Sequence, residues 1–326
     1  MKKVLIAILL LGLLPHASAD YIHWVDFRLS APVLRSALEL DMASQGGEQP
    51  LDWIDILALA AAWRGGTGVT VADTQRAAQA LRGDTPPERL PGMAGRCFSY
   101  YRAAYGAALG GLVGHFAIRR TDPQTGEAEW IPAYGLKAFS PIAAGYPWSH
   151  YPDFGAQRSY GYARPHLGND ILGALGTPIC AVEGGTVEAL GWNRYGGWRI
   201  GIRSDDRKRY YYYAHLRKDT PYAEGLAVGQ RVQAGDVIGF MGRTGYSAQE
   251  NVNNIETVHL HFGLQLIFDE SQKECDSEIW IDVYPIIELL ASHCSSVARD
   301  PQTGRWERLY PYCDLDAEPL RSAAAR

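Results

Sequence analysis

The 326-residue sequence has no excess of basic residues and no apolar run long enough to cross a membrane as a helix. Lysine and arginine number 31 against 36 aspartates and glutamates, a formal net charge of −5. Nucleic-acid-binding proteins usually carry a basic patch or stripe, so we expect no nucleic-acid partner. The apolar run Val4–Leu14 is far shorter than the roughly 20 residues that span a bilayer. The composition, with 47% hydrophobic and 21% charged residues, is typical of a soluble globular protein.

Cysteine is scarce, and two common metal or redox motifs are missing. Only five cysteines occur and no C-x-x-C, which argues against a redox motif or a cysteine-based zinc knuckle. Cys275, Cys294 and Cys313 lie near the C-terminus, where one disulfide is expected in an oxidising compartment. No H-E-x-x-H occurs either, so the glutamate base of that class of zinc peptidase is absent.

The first nineteen residues have the pattern of an export signal. Lys2 and Lys3 precede the apolar run, and Ala17-Ser18-Ala19 supplies the small residues of a cleavage site before Asp20. We therefore expect a cleaved signal peptide over residues 1–19, a periplasmic or secreted mature protein, and no stable membrane anchor after cleavage. An uncleaved anchor is the alternative.

The rest of the chain divides into a helical part and a β-rich part. Residues 20–135 are predicted to form a helical accessory domain, in which Ser30, Asp52 and Asp73 cap three helices. From Thr177 onward, short β-rich runs alternate with glycine turns, which favours an antiparallel sheet or sandwich over βαβ units. The predicted fold class is therefore α+β.

The boundaries of the β-rich part follow from its turns and from the composition of the C-terminus. We predict one domain over residues 136–293, ending in a helix over residues 280–293 that is broken or bent near Pro285. Residues 294–326 are predicted to be a polar C-terminal tail that is frayed at its end.

Four of the nine histidines fall in three short motifs of the β-rich part. These motifs are His166-x-x-x-Asp170, Tyr213-Ala214-His215-Leu216 and His259-Leu260-His261. Residues at even spacing share a face of a strand, so we predict His259 beside His261, and His215 aligned with Tyr211 and Tyr213. If residues 166–170 are extended, His166 and Asp170 also share a face. Convergence of the three segments would bring four imidazoles and one carboxylate to one surface. Two histidines and a carboxylate with an open fourth position are a ligand set used for catalytic zinc.

Several further motifs accompany these residues, and their order is informative. Between residues 160 and 268 the chain contains, in sequence, His166-x-x-x-Asp170, Gly176-Thr177-Pro178, Gly184-Gly185-Thr186-Val187, Tyr213-Ala214-His215-Leu216, Gly235-Asp236-Val237-Ile238-Gly239, Gly242-Arg243-Thr244-Gly245 and His259-Leu260-His261-Phe262. This pattern resembles the lysostaphin-type zinc metallopeptidases, which are exported endopeptidases of bacterial peptidoglycan. The resemblance covers a third of the chain and does not extend to the helical part.

The resemblance implies a role for each of these polar residues. It implies one zinc ion per chain held by His166, Asp170 and His261, with His215 and His259 as unligated catalytic imidazoles. An imidazole with a pKa near 6.5 can accept or donate a proton at neutral pH, which suits that role. The family also places a tyrosine before the first ligand as an oxyanion donor. Tyr160 fits that position, with the neighbouring Tyr162 as the alternative.

Two other side chains are candidates for the site without a motif to support them. His150, sixteen residues before His166, could line the cleft or occupy the open metal position in a latent form, although a loop or core role suits it better. Arg194 is a candidate contact for a carboxylate of a cell-wall peptide.

The function predicted from these features is that of an exported zinc metalloendopeptidase acting on peptidoglycan stem peptides or cross-links. One alternative is a non-catalytic wall-binding module or an activator of other wall hydrolases, and another is a zinc peptidase that cuts proteins. The partner predicted for the site is a peptidoglycan peptide. The helical part is predicted either to cover the groove or to bind a protein partner that the sequence does not identify.

Overall fold

The computed structural model describes residues 25–159, 163–273 and 277–317. The predicted signal peptide, residues 1–19, lies outside them. The N-terminal part contains four α-helices and a short 3-10 turn at Pro87–Arg89. The helices are α1 (Ala31–Ser44), α2 (Trp53–Arg64), α3 (Val71–Leu81) and α4 (Met93–Leu109). Seventeen strands and a fifth helix follow within the described residues, and the predicted α+β class is confirmed.

The strands are β1 (Val113–Thr121), β2 (Ala128–Leu136), β3 (Ser149–His150), β4 (Gln157–Ser159), β5 (Ala163–Pro165), β6 (Asn169–Leu172), β7 (Pro178–Cys180), β8 (Gly185–Asn193), β9 (Gly197–Ser204), β10 (Arg209–Ala214), β11 (Arg231–Val232), β12 (Val237–Phe240), β13 (His259–Leu266), β14 (Ile279–Trp280), β15 (Val297–Arg299), β16 (Trp306–Arg308) and β17 (Tyr312–Asp314). Helix α5 (Tyr284–Leu290) lies between β14 and β15.

The helix caps agree only in part with the prediction. Asp52 caps α2 by accepting a hydrogen bond from the Ile54 amide, as predicted. Ser30 precedes α1 but makes no side-chain cap. The cap of α3 is Thr70 and not Asp73, because Asp73 occupies the third helical position of a capping box and bonds back to Thr70. Prediction by residue type alone could not distinguish the two ends of that box.

The β-rich part is built on one antiparallel sheet with the order β11-β8-β9-β10-β13-β6-β3, and β14 pairs with the end of β13. The antiparallel pairing that was predicted for this part of the chain is confirmed. One face of the central strands packs into the core, where Tyr211 and Tyr213 of β10 lie against Phe262 of β13. Tyr213 and Phe262 are almost fully buried, so the opposite face is left to present polar side chains.

The predicted helical region and the predicted tail both contain strands that the sequence analysis did not anticipate. The helices end at Leu109, and β1 and β2 then form a hairpin. Strand β17 pairs with β1, with Ala117 opposite Cys313, so the chain after residue 293 is not simply a polar tail. Lys137 fixes this pairing, because its Nζ donates to Asp314 Oδ1 at 3.0 Å and to Asp316 Oδ2 at 2.9 Å. A contact between segments so distant in sequence leaves no local pattern.

The closing helix and the cysteines also differ from expectation. Helix α5 covers only Tyr284–Leu290, and Pro285 lies in its first turn, where a missing amide costs little, so it does not bend the helix. Cys294 is a free thiol, so it does not form the disulfide expected near the C-terminus, and Cys275 lies outside the described residues. Across the described ranges, no helix is both long enough and apolar enough to span a bilayer.

A buried arginine joins the helical part to the sheet. Arg209 of β10 is 1% exposed, and its guanidinium donates to both oxygens of Glu183, at 2.7 and 3.0 Å. A third nitrogen donates to the Ala107 carbonyl at 2.7 Å, at the C-terminal end of α4. A cation at this end satisfies carbonyl groups that lack partners within the helix. The helical part is thereby fixed to the sheet on the core side of β10.

Candidate active site

Two paired strands and the turn before one of them bring three ligand-type side chains together. His261 of β13 lies opposite Asp170 of β6, and His166 lies in the turn that leads into β6. His166 Nε2 is 3.0 Å from Asp170 Oδ1 and 2.9 Å from His261 Nδ1. His261 Nδ1 is 3.1 Å from the same carboxylate oxygen. Two nitrogens and one oxygen therefore point at a common centre.

This donor set fits a zinc ion. Tetrahedral zinc with bonds of about 2.0–2.2 Å separates its donor atoms by about 3.3–3.6 Å. The three separations here, 2.9, 3.0 and 3.1 Å, are shorter by roughly half an ångström. Two imidazoles and one carboxylate leave the fourth position to a non-protein ligand, as in catalytic sites. His166, Asp170 and His261 are thus the residues that would hold the metal.

The charge states of these residues also suit a metal. Burial alone would raise the pKa of Asp170, but its contacts with the imidazoles of His166 and His261 outweigh burial and hold that pKa well below its usual range. Burial lowers the pKa of His261, although the bond with Asp170 opposes the shift. At neutral pH the carboxylate is therefore ionised and the imidazole of His261 is neutral, which are the forms that bind metal ions.

A second layer of polar groups orients His166 and Asp170. The carboxylate Oδ2 of Asp153 lies 3.1 Å from His166 Nδ1. Arg158 Nη2 donates to the same Asp153 oxygen at 2.6 Å and to Asp170 Oδ2 at 3.2 Å. Such outer partners fix the tautomer and the ring orientation of metal-binding histidines. Neither Asp153 nor Arg158 is predicted as a site residue from the sequence, since nothing in their spacing connects them to His166.

Two further imidazoles lie beside this centre. The rings of His215 and His259 have centroids 4.8 Å apart, and His259 Nε2 is 3.7 Å from Asp170 Oδ1. His215 Nδ1 lies 2.9 Å from the Thr244 carbonyl, and His259 Nδ1 lies 2.9 Å from the Thr257 carbonyl. A carbonyl only accepts, so each Nδ1 carries the proton and each Nε2 keeps a lone pair. Both rings are thus set up to accept a proton at Nε2.

The environment of His215 keeps its ring neutral. Burial, together with the neighbouring imidazoles of His259 and His261, lowers the pKa of His215 well below its usual value. A neutral imidazole is the form that can take a proton from water. The group is therefore available as a base at neutral pH.

His215 reaches the site by a route different from the predicted one. The expected alignment of His215 with Tyr211 and Tyr213 is wrong, because those two rings lie in the core. Strand β10 ends at Ala214, and His215 then adopts a left-handed backbone with φ of 60°. This backbone reversal directs the imidazole to the site face. A non-glycine residue in this region is strained, and such strain is common at functional sites.

The five residues lie in a groove with a cavity of about 600 Å³. Tyr212 forms part of its floor, because its ring contacts His261 at 5.9 Å between centroids. Arg164 forms part of one wall and lies over the ring of Tyr195, 4.5 Å from its centroid. Tyr246 lies beside the ring of His215. A groove of aromatic and cationic side chains is suited to a polar peptide.

The other candidate residues from the sequence are not found at the metal centre in the described part of the chain. Tyr160 and Tyr162 lie outside the described residues. His150 is not at the metal centre, since its ring nitrogens bond to Asn169 at 2.6 Å and to Glu288 at 3.0 Å. Arg194 is exposed beside Tyr195 and does not line the groove. No described residue before Tyr151 lines the groove, so the expectation that the helical part covers it is not met by residues 25–135.

The site has counterparts among known proteins. Residues 164–274 match the model of peptidase family M23. The chain is 35% identical over 177 residues to L-Ala–D-Glu endopeptidase of Bacillus subtilis, an alignment that covers 51% of this chain and 52% of that protein. It is 38% identical over 98 residues to glycyl-glycine endopeptidase ALE-1 of Staphylococcus capitis, covering 30% of this chain and 24% of that protein. The catalytic domain of lysostaphin from Staphylococcus simulans is a similar solved structure, with 29% identity, a TM-score of 0.33, and coverage of 44% of this chain and 92% of that one.

The class of the protein follows from the site and the match together. Residues 164–274 form a peptidase family M23 domain, as the sequence resemblance implied. The chain spans about half the length of the Bacillus relative and about a quarter of ALE-1. The similarity therefore establishes a shared domain and not a shared whole protein.

Proposed function

We propose that this chain is an exported zinc metalloendopeptidase that hydrolyses peptide bonds in peptidoglycan. The observation that carries the proposal is the convergence of His166, Asp170 and His261 beside the imidazoles of His215 and His259 in an open groove. The M23 match supports a peptidase, and relatives that cut L-Ala–D-Glu and glycyl-glycine bonds support peptidoglycan as the target. The signal-like segment over residues 1–19 supports a periplasmic or secreted location.

Different side chains carry out metal binding, proton transfer and positioning during hydrolysis. When bound, zinc would lower the pKa of a water molecule to about 7 and polarise the scissile carbonyl. His215 and His259 orient the attacking water through Nε2 and accept its proton there. The same imidazoles then return a proton to the leaving amine. Arg158 and Asp153 hold Asp170 and His166 in place and take no part in proton transfer.

The groove walls bind the peptide on either side of the reacting bond. Tyr212 offers a flat ring beside His261, and Tyr195 and Tyr246 line the groove around Arg164. A tyrosine hydroxyl that donates to the developing oxyanion would complete the site, and Tyr160 is the residue we propose for it.

The experiment that tests the proposal compares two digestions of purified peptidoglycan by the mature protein, one with zinc and one with a chelator. We expect new amino termini with zinc, their loss with chelator, and recovery when zinc is restored. Mass analysis of the released fragments identifies the bond that is cut. Casein serves as the protein substrate, and its digestion in preference to peptidoglycan would replace the proposed substrate class.

The alternative of a non-catalytic wall-binding module or activator is less well supported. Loss of a ligand or of an imidazole would favour it, whereas all five polar positions are filled here and converge. Binding to peptidoglycan without any release of fragments in the presence of zinc would make it the better description.

A further inference from the structure

A second cavity continues the groove along the sheet on the far side of His261 from His166 and Asp170, neither of which lines it. Its volume is about 470 Å³, and it shares Leu167, Tyr195, Tyr212 and His261 with the first cavity. The part that is not shared is lined by Arg199, Tyr210, Glu278 and Trp280, among others. The two cavities therefore meet at His261, and the second one extends across strands β9, β10 and β13.

Two glycines keep this second cavity open. Gly201 of β9 and Gly263 of β13 both lie opposite Tyr212 and so share its face of the sheet. A Cβ at Gly263 would lie 2.8 Å from the ring of Trp280, and a Cβ at Gly201 would collide with the ring of Tyr210. The aromatic rings therefore lie across the strands at these glycines and form apolar walls.

Arg199 is the unusual residue of the cavity. Among the described residues its guanidinium has no ion pair and donates no hydrogen bond, and its Nε is buried without a partner. The acid that lines the same cavity, Glu278, accepts instead from the Trp280 indole at 2.8 Å. On the same strand, Arg203 is paired with Glu270 at 3.0 Å. The side chain of Arg199 is only part-buried, but its Nε is a buried donor, and such a donor is costly to leave without an acceptor.

We propose that Arg199 anchors a carboxylate-binding subsite, which receives a carboxylate of the substrate peptide. The proposal rests on the peptidase function proposed above and narrows its substrate to peptides with an acidic group near the scissile bond. A guanidinium binds a carboxylate with two parallel hydrogen bonds, and Nε is one of the donors it uses. The protein itself has a net charge of −5, so the attraction for an anion is local to this cavity.

The position of Arg199 defines where that carboxylate lies along the substrate. Ile200 pairs with Tyr213 and Ala214 pairs with His261, so Arg199 lies two strands from His261 at the same level of the sheet. Two interstrand steps amount to about 10 Å. An extended peptide rises about 3.3 Å per residue, so the recognised carboxylate belongs to a residue two or three positions from the reacting bond. A glycine bridge carries no such group.

The test uses three synthetic peptides and the zinc-loaded mature protein. One peptide has the sequence of a wall stem with a free D-glutamate carboxylate, the second has the carboxamide in its place, and the third is pentaglycine. We expect Arg199→Gln to raise KM for the carboxylate peptide about 10- to 100-fold, with little change in kcat. The same variant should remove the preference for carboxylate over carboxamide, and Arg199→Lys should restore part of it. Zinc content should stay at one ion per chain.

The control is Arg120→Gln, which removes an equal charge from an exposed position on β1 and should change nothing. Equal losses of activity on the carboxylate and carboxamide peptides would overturn the subsite and assign Arg199 a structural role. A wild-type preference for pentaglycine would also overturn it while leaving the peptidase function intact.

Calorimetry separates failure of the subsite from failure of the proposed function. Wild-type protein that cleaves no peptide but binds the carboxylate peptide at least tenfold tighter than Arg199→Gln would support the subsite alone. Equal affinities of the two proteins for that peptide would overturn it.

Discussion

The carboxylate of Asp153 lies 3.1 Å from His166 Nδ1, on the edge of the ring opposite the atom that faces Asp170. A ligand histidine is thereby held between two carboxylates. The outer carboxylate fixes the proton on Nδ1 and leaves the lone pair of Nε2 directed at the metal centre. Arg158 prevents the outer carboxylate from rotating away, because it donates to Asp153 at 2.6 Å.

Removing the outer carboxylate should weaken metal binding without abolishing it. We expect Asp153→Ala to lower zinc affinity about 10- to 100-fold, since His166 then loses its orienting partner. Competition with a chromophoric chelator at neutral pH measures the change. The control, Asp205→Ala, removes an exposed carboxylate that pairs with Arg231 far from the site. Equal affinities for the Asp153→Ala and wild-type proteins would show that His166 needs no such support.

Variants of the metal-binding histidines and of the unligated histidines should differ in zinc content, although both lose peptide hydrolysis. His166→Ala and His261→Ala remove one of three metal-binding side chains, so the zinc content should fall from about one per chain toward zero. His259→Ala removes a proton acceptor, so zinc should remain while peptide hydrolysis is lost. Metal analysis and release of amino termini from peptidoglycan are compared on the same samples. Hydrolysis by His259→Ala at the wild-type rate would remove the role assigned to that residue.

A single methyl group should disturb the metal centre from the backbone side. A Cβ at Gly168 would lie 2.7 Å from the ring of His261, closer than carbon contacts allow. We expect Gly168→Ala to displace that ring and to reduce zinc affinity and hydrolysis together, while circular dichroism remains that of the folded protein. Gly184→Ala is the matched control, because its nearest neighbour would lie at an ordinary 3.5 Å. Wild-type zinc affinity in Gly168→Ala would mean that the turn before β6 can move.

The parts of the site that sequence predicted are those that depend on local alternation. His259 and His261 lie on one face because Leu260 and Phe262 are buried on the other. These four consecutive residues are enough to predict the alternation. The position of His215 was predicted for the wrong reason, because a left-handed residue after β10 breaks the alternation.

Contacts between distant segments left no signal at all in the sequence. Asp153 meets His166 across a turn, and β17 pairs with β1 across about two thirds of the described chain. Arg199 looks like any strand arginine until the structure shows that its Nε is buried without a partner and that no described acid pairs with it. Patterns of two to four residues determine strands and faces, whereas the partners of a charged side chain depend on topology.

The packing of the helical part against the sheet, and with it the stability of the protein, should depend on Arg209. Its guanidinium is buried against Glu183 and the end of α4, so Arg209→Met leaves an unpaired buried carboxylate. Breaking a buried pair in this way costs about 3–5 kcal/mol in the free energy of unfolding. Urea denaturation measures it, with Arg305→Met as the control, since Arg305 and Glu224 are both largely exposed. Similar losses for the two variants would show that the buried pair has no special role.

The C-terminal strand β17 should stay attached only within a range of pH. Burial alone would raise the pKa of Asp316, but Lys137 outweighs burial and lowers that pKa. The stabilisation that the ionised carboxylate gives is therefore complete above its usual pKa of 3.8. It is lost as the pH falls through the lowered folded value. Burial alone would lower the pKa of Lys137, but Asp316 and Asp314 outweigh burial and raise that pKa. The stabilisation that the charged amine gives is therefore complete below its usual pKa of 10.5. It is lost as the pH rises through the raised folded value. The protection of residues 312–314 against hydrogen exchange, measured relative to an unstructured peptide at the same pH, should therefore fall below about pH 4 and again above about pH 10.5. Lys137→Met should exchange rapidly at all pH values, whereas Lys208→Met, at an exposed position, should follow the wild type. Slow exchange in Lys137→Met would mean that the backbone pairing with β1 alone holds the strand.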